Sequence, residues 1–433
     1  MSEKRYLTGA DWLAHALNAA TRRGTPVGNH SQIVLDLAED PGDLAEWTDA
    51  LRDFSAAFPE LGGRLARAWT LEPYWKLSGV PLSPAVETRA CEEGEGFVAL
   101  ERFANEPFAG SGEYLRFLLL RESNGPARWV MKFDHRLFDA RGAERFLWLF
   151  SRYVRGEIDA RELAAQRARQ ASLLNRWAER FRSGRTLLRE LRGFSGREIA
   201  SLATDAHSSG DSVFLSFELD EGATDRMIER ANREAGFLMF MPYALAVCAS
   251  AFCAARPPKP GEAIVIPCTV DLRGNEPAPE RTLFNAWSSF FFLLEPEDVA
   301  DRAGAISSLK RRFYELRKAG FAEAMERTMV LMRILPVPVF EWLARTRMRH
   351  CFGSFSFASL GPGPFDAEGS FCGIGVENLR HMPQIPPQSG LGFFFNRYRN
   401  RINLGVSYRR GLLDSAARRR MERALRSCWE AGA

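Results

Sequence analysis

Short apolar runs typical of strands alternate with amphipathic helical patterns along most of the chain, and this alternation limits the possible folds most strongly. The first half contains strand-like runs at residues 31–37, 62–71, 112–122 and 127–134, with helical patterns at 41–58 and 142–154. The last two of these runs are joined by SNGP, a turn signal that predicts a hairpin. The first half is therefore predicted to combine sheets and helices.

The second half shows the same mixture. Strand-like runs lie at 212–219, 263–272, 286–296, 353–361 and 369–379, and helical patterns at 222–236, 241–256 and 415–431. Residues 391–410 predict a hairpin with its turn near Arg399-Asn400. Hairpins mixed with helices in both halves predict an α/β (α+β) protein in which mixed sheets are flanked by helices.

A basic helical segment around residues 156–211 separates the two halves. It is rich in Arg and Ala and ends in the turn-prone HSSGDS. We predict subdomains at 1–185 and 186–433, with this segment as a helical linker. Its basic residues fit either a docking surface or a solvated helix face, and the solvated face is favoured.

Charge and hydropathy exclude several classes of protein. The 433 residues carry a net charge of only +4, which argues against a nucleic-acid binder. No run reaches 18 apolar residues, and residues 329–350 are broken by Pro336 and Pro338, which predicts a buried or interfacial helix pair. The N-terminal residues show no apolar core of a secretion signal. We therefore expect a cytoplasmic protein. A length of 433 residues predicts two or three domains of ordinary size, or two large subdomains.

The seven cysteines are scattered and contain no CxxC pair. This pattern is typical of reduced thiols in a cytoplasm and predicts neither a disulfide framework nor a metal site.

A histidine stands where the run WVMKFD ends, and an aspartate follows it four residues later. His135 and Asp139 lie between this strand and the next helical pattern, a position where side chains project from the end of a sheet. Histidine suits general-base chemistry because its ordinary pKa is about 6.5. A buried histidine beside a helix-capping aspartate fits the same pattern.

The end of the second half has a similar arrangement. When GVSYRRGLLDSAARRRMERAL is set under VMKFDHRLFDARGAERFLWLF, Arg410 falls under His135 and Asp414 under Asp139. An internal duplication and a coincidence of two N-cap patterns both fit this likeness.

DHRLFDARG resembles the HHxxxDG motif of the coenzyme-A-dependent acyltransferase superfamily. That group includes chloramphenicol acetyltransferase, condensation domains of non-ribosomal peptide synthesis, wax ester synthases and polyketide-associated acyltransferases. The resemblance covers most of the chain, because TVDLRG with FNAWSSFFFLLEP, and then FASLGPGP, are similar to two later family segments in the same order. It implies two chloramphenicol acetyltransferase-like subdomains with an active-site tunnel between them.

The resemblance also implies residue roles. His135 would be the general base that takes a proton from a hydroxyl or amine acceptor as it attacks a thioester carbonyl. Asp139 would pair with Arg273 and fix the loop. Residues implied to contact the substrate or the oxyanion are Asp134, Gly142, Asn285, Ser288, Ser289, Ser359 and Gly361.

The chain departs from the family pattern at several positions. Asp134 replaces the first His, and Ala140 replaces the Gly after the aspartate. Phe284 stands where a Gly precedes Asn285, and Ser359 replaces an Asn. Ala140 and Phe284 leave open a narrowed or altered donor channel, and with it an atypical substrate.

The expected donor is an acyl-CoA or a phosphopantetheine thioester, with no tightly bound cofactor and no metal. A separate acyl carrier protein and peripheral membrane contact are both left open, and a monomer is expected. Two alternatives to a free-standing acyltransferase are a non-catalytic scaffold protein and a condensation enzyme that joins two carrier-bound groups.

The phenylalanine runs at 290–292 and 393–395 fit either core strands or the wall of an apolar tunnel, and core strands are favoured.

Overall fold

The computed structural model describes residues 4–77, 82–110, 112–166, 177–194, 196–203, 210–275, 282–347, 353–386 and 389–430. Parts of the predicted linker around 156–211, and the end of the predicted helix pair at 348–350, lie outside the described residues. The elements of the first half are β1 (Lys4–Tyr6), α1 (Gly9–Thr21), β2 (His30–Leu37), α2 (Ala45–Ala56), β3 (Arg64–Arg67), β4 (Pro73–Lys76), β5 (Ala85–Cys91), α3 (Gly96–Asn105), β6 (Leu115–Glu122), β7 (Ala127–Asp134), α4 (Ala140–Val154), α5 (Ala160–Ala164) and α6 (Trp177–Arg192).

The second half continues with helices and strands in the predicted mixture. Its elements are β8 (Glu198–Ile199), β9 (Ser212–Leu219), α7 (Glu221–Glu234), α8 (Phe240–Ala255), β10 (Glu262–Asp271), β11 (Trp287–Leu294), α9 (Arg302–Lys318), α10 (Phe321–Met332), α11 (Val337–Arg347), β12 (Ser356–Leu360), α12 (Pro364–Glu368), β13 (Ser370–Phe371), β14 (Ile374–Pro383), β15 (Leu391–Tyr398), β16 (Arg401–Arg409) and α13 (Ser415–Arg426).

One mixed sheet has the strand order β13-β14-β2-β7-β6-β5. Every residue of β2 is buried, which is typical of a strand covered on both faces. β2 runs antiparallel to β7 and pairs His30 with Asp134, whereas β5 and β6 are parallel. α4 buries its apolar stripe beside this sheet, and α2 packs against α4.

The second mixed sheet has the order β11-β10-β12-β15-β16-β9, and β8 pairs with β10 beside it. β12 is parallel to both of its neighbours, and the remaining pairs along this order are antiparallel. α8 is apolar on nearly all sides and packs between α9 and α13, as expected for a helix buried in a core. The predicted fold class, mixed sheets flanked by helices, is confirmed.

The second half contributes a hairpin to the sheet of the first half. β14 pairs antiparallel with β2, so that His381 lies opposite Ile33. The boundary expected between 1–185 and 186–433 falls within α6 and stays a prediction.

Several element boundaries agree with the pattern analysis, and one strand and one helix differ. The hairpin β15–β16 turns at Arg399-Asn400 as predicted. The predicted single strand over 369–379 is instead two antiparallel strands, because Cys372 and Gly373 adopt positive φ and turn the chain back. α2 begins at Ala45, four residues after the predicted start at Pro41.

The region at 329–350 confirms the predicted helix pair over the residues described. α10 ends at Met332 and α11 begins at Val337, with Pro336 between them. Across the described ranges, no helix has the length and apolar character that crossing a bilayer requires.

Candidate functional site

The histidine of the HxxxD motif lies in a tight loop between β7 and α4. Leu137 N–H and Phe138 N–H both donate to the carbonyl of Asp134, which turns the chain immediately after the strand. Asp139 then caps α4, because its side chain accepts from Gly142 N–H at 2.7 Å. These hydrogen bonds hold both ends of the loop and so fix the orientation of the His135 side chain.

His135 is held by one ring nitrogen. Its Nδ1 lies 3.0 Å from the carbonyl oxygen of Phe138. Because a carbonyl only accepts, this contact assigns the proton of a neutral imidazole to Nδ1 and leaves a lone pair on Nε2. No group among the described residues hydrogen-bonds Nε2, and the imidazole lines a large cavity. Burial lowers the pKa of His135, which keeps the ring neutral near pH 7.

Asp139 is saturated with donors. Its Oδ1 accepts from Arg273 Nη2 at 2.8 Å, and its Oδ2 accepts from Arg273 Nη1 at 3.1 Å. Ala286 N–H donates to Oδ2 at 2.8 Å. Burial opposes ionisation, but Arg273 and the backbone donors outweigh it and hold the pKa of Asp139 below its ordinary value. Asp139 therefore acts as a fixed carboxylate, and the predicted contact with Arg273 is present.

Arg273 ties together the segment that follows β10. Its Nε donates to the carbonyl of Thr282 at 3.0 Å and its Nη2 to that of Phe284 at 2.9 Å. Nη1 also donates to Asp271 at 3.0 Å. The buried Arg273 guanidinium therefore connects Asp139 of the first half with the segment of the second half that follows β10.

Asn285 joins the same loop from the second half. Its Nδ2 lies 3.0 Å from the carbonyl of His135, 3.1 Å from that of Arg136, and 3.1 Å from Asp11 Oδ1. The neighbouring Phe284 stacks on Phe138 with ring centroids 5.0 Å apart. The Phe284 that replaces a family Gly therefore packs against the HxxxD loop.

The cavity beside His135 has a volume of about 680 Å³. Its strand side carries hydroxyl groups from both halves, including Ser31, Thr269, Ser289 and Ser359. Such a cavity is of the size that holds a drug-sized ligand.

The helix side of the cavity is apolar. α6 contributes Leu187 and Leu191, although the sequence favoured a solvated linker helix there. The solvated face exists, since Arg182 and Arg189 are exposed, but the opposite face of α6 closes the cavity.

The phenylalanine runs divide between core and cavity, and in the first run the division follows the alternation of side chains along a strand. Phe291 lines the cavity, whereas Phe290 and Phe292 are buried in the core. In the other run, Phe394 and Phe395 line the cavity and Phe393 is buried in the core.

Besides Asn285, three of the residues implied to contact substrate make other contacts. Asp134 is fully buried and forms an ion pair with Arg136 at 2.6 Å. Ser288 Oγ donates to the carbonyl of Ala322 at 2.6 Å, on the strand face opposite to Ser289. The backbone carbonyl of Gly361 accepts from Arg141 Nη2 at 2.8 Å.

Gly142 is required for close packing at the start of α4. A Cβ at this position would lie 2.1 Å from the carbonyl oxygen of Leu283. The glycine therefore lets α4 approach the segment that carries Asn285, and its role is structural.

The sequence analysis did not identify one histidine that lines the cavity. His381 on β14 lines the cavity, and its Nε2 lies 2.8 Å from Glu144 Oε1. Glu144 is also paired with Arg141. Burial opposes ionisation of Glu144, but Arg141 and His381 outweigh it and lower its pKa. A lone histidine in a strand carries no local signal, so only the pairing of β14 with β2 reveals this site.

The fold is that of the two-subdomain condensation domains and acyltransferases, which confirms the resemblance at the level of the fold. No protein-family model and no curated sequence matches the chain.

Solved structures match nearly its whole length. The first condensation domain of the calcium-dependent antibiotic synthetase, in complex with a substrate analogue, aligns with a TM-score of 0.70 at 16% identity, over 99% of this chain and 96% of that one. TRI3 trichothecene 15-O-acetyltransferase from Fusarium sporotrichioides aligns with a TM-score of 0.68 at 11% identity, over 98% and 94%. The starter condensation domain of rhizomide synthetase, in complex with C8-CoA, aligns with a TM-score of 0.63 at 14% identity, over 99% and 95%.

Proposed function

We propose that the chain is an acyltransferase that moves an acyl group from a thioester to a hydroxyl or amine acceptor, with His135 as the general base. The observation that carries this proposal is the fixed imidazole. Its Nδ1 is engaged by the Phe138 carbonyl, and its Nε2 is left without a partner among the described residues on the wall of a cavity.

The chemistry follows from this arrangement. The acceptor oxygen or nitrogen attacks the thioester carbonyl while its proton passes to Nε2 of His135. The tetrahedral oxyanion needs a hydrogen-bond donor, and the hydroxyls of Ser289 and Ser359 lie on the cavity wall. Collapse of the intermediate breaks the carbon–sulfur bond, and the imidazolium returns its proton to the thiolate. Asp139, bound to Arg273, fixes the loop and takes no proton.

The donor is a thioester of CoA or of carrier-bound phosphopantetheine. A structural neighbour in complex with C8-CoA and an acetyltransferase of the same fold support a thioester donor in general. A separate acyl carrier protein would be the partner if the thioester is carrier-bound, and the cytoplasm is the proposed location.

The test measures thiol release from acetyl-CoA, octanoyl-CoA and the matching pantetheine thioesters, with panels of small alcohols and amines as acceptors. Wild-type protein is expected to release thiol in an acceptor-dependent way. His135→Ala should lower that rate by about 10²–10⁴-fold while its melting temperature stays close to wild type.

His15→Ala is the matched control, because this histidine lies on α1 and is not among the described residues that line the cavity. Equal activity in wild type and His135→Ala would contradict the proposal. Thioester binding without acceptor-dependent release would favour the scaffold alternative, and transfer only between two carrier-bound groups would favour the condensation enzyme.

A further inference from the structure

The cavity has two chemically different sides. The strand side holds His135 and hydroxyl groups, and the helix side is formed by α1, α6, α10 and α11. α10 packs against both α6 and α1, and α1 packs against α11, so the four helices form one connected wall. A ligand that spans both sides needs a polar reacting end and an apolar remainder.

Among the residues that the structure describes, the helix side is almost free of unsatisfied polar groups. Representative side chains are Leu17, Leu187, Leu191, Met329, Met332 and Phe340. Thr328 also lines this side, but its hydroxyl donates to the carbonyl of Ala324 at 2.6 Å. Arg185 is exposed on α6 and so belongs to the mouth of the cavity. An apolar group is therefore favoured in the interior, where water would find few partners.

Three methionines set the character of this wall. Met325, Met329 and Met332 lie on α10 at intervals of four and three residues, which places them on one helix face. Unbranched thioether side chains adapt to ligands that vary in shape. This favours a flexible chain over a rigid ring.

Gly184 lies beside open space on the helix side of the cavity. It lies in the middle of α6 and lines the cavity, and a Cβ built on it would meet no atom within 4 Å. Glycine is unfavourable inside a helix, and here its missing side chain leaves space at the apolar wall.

We propose that the helix side of the cavity, closed by α6, is an acyl chamber that takes a linear acyl group of medium or long chain length from the thioester donor. The inference rests on the proposed function, since it names the donor class for the same site. Gly184 is the position that sets how long a chain the chamber admits.

Binding to acetyl-, octanoyl- and palmitoyl-pantetheine, measured by calorimetry without an acceptor, tests this directly. Each buried methylene is expected to tighten binding about fourfold (~0.8 kcal/mol). Octanoyl-pantetheine should bind at least about a hundredfold more tightly than acetyl-pantetheine. The same series as CoA thioesters separates a CoA donor from a carrier-bound one, because only the CoA series adds the nucleotide.

Gly184→Leu should fill the open space and weaken octanoyl and palmitoyl binding at least about tenfold, while acetyl binding changes less than about twofold. Leucine favours the helix more than glycine does, so loss of folding is not expected, and a thermal melt checks it. Gly222→Leu is the matched control, because Gly222 is an exposed glycine of helix α7 outside the described cavity wall.

Equal affinity for all three chain lengths would overturn the acyl chamber while leaving the proposed function intact. Tight binding of benzoyl-pantetheine with weak octanoyl binding would also overturn it, in favour of a rigid acyl group. Failure of every thioester to bind would contradict the proposed function itself, and the chamber with it.

Discussion

Asp139 and Arg273 are separated by 134 positions in sequence, and they meet in a bidentate ion pair at 2.8 and 3.1 Å. Asp139 caps the helix after the HxxxD loop, and Arg273 holds the segment that leads to Asn285. Because both side chains are buried, the pair connects the two halves of the chain at the floor of the loop that carries His135.

Breaking this ion pair should destabilise the protein. Asp139→Ala and Arg273→Ala are each expected to cost about 3–5 kcal/mol, because each leaves a buried charge without its partner. The double variant should lose less than the sum of the two, with an interaction energy of about 0.5–3 kcal/mol. A denaturant double-mutant cycle measures this, and strict additivity would mean that the two residues do not interact.

The Asp139–Arg273 ion pair should also make the stability of the protein depend on pH in acid. The pKa of Asp139 lies below its ordinary value, so the unfolded chain binds the proton more readily than the folded protein does. The stability that the carboxylate contributes is present above pH ~3.9 and is lost as the pH falls through the folded pKa. Asp139→Asn should therefore show a shallower loss of stability below pH ~4 than wild type in acid denaturation. An identical slope in both proteins would contradict the assignment.

The pH dependence of catalysis should follow His135. Burial lowers the pKa of this imidazole, so the neutral base predominates at pH 7. We expect kcat/KM to fall only on the acidic side, with a midpoint below about 6.5. A midpoint above that value would require a charged partner that stabilises the imidazolium.

Two adjacent serines should behave differently. Ser289→Ala is expected to lower kcat by about 10²-fold if its hydroxyl supplies an oxyanion donor. Ser288→Ala removes the donor to the Ala322 carbonyl, so it should cost about 1–3 kcal/mol of stability and leave kcat nearly unchanged. Steady-state kinetics and melting of the two variants, compared side by side, decide the matter. Equal kinetic effects would show that strand alternation does not separate their roles.

Asn285 should affect the conformation of the HxxxD loop and not the protonation of His135. Asn285→Ala removes the donor to the His135 and Arg136 carbonyls and is expected to cost about 1–3 kcal/mol. kcat should fall with little change in the acidic midpoint, because the imidazole itself is retained. Asn400→Ala, at the tip of a hairpin, is a control that should leave stability and kcat unchanged.

The sequence predicted the parts of this site that are local. His135, Asp139 and the helix after them follow from the strand-loop-helix pattern, and motif likeness added Arg273. Asp414 caps α13 after β16 as Asp139 caps α4 after β7, so the likeness of the two chain segments holds in the structure. Neither duplication nor coincidence is decided by that shared cap.

The distant parts were not predictable from local pattern. His381 reaches the cavity only because β14 pairs with β2, and register between distant strands has no signature in a single sequence. The role of α6 was underestimated because its many arginines hide the apolar face that contains Leu187 and Leu191.

The hairpin β13–β14 bears on how the chain folds during synthesis. Asp36 on β2 binds Arg380 on β14 at 2.6 Å across 344 positions of sequence. Until the ribosome has passed residue 383, the edge of β2 has no neighbour on that side, and an apolar strand with an open edge is prone to pair with other chains. Completion of the first sheet is therefore a late, long-range step of high contact order, and the nascent first half is the stage at which chaperones have most to protect.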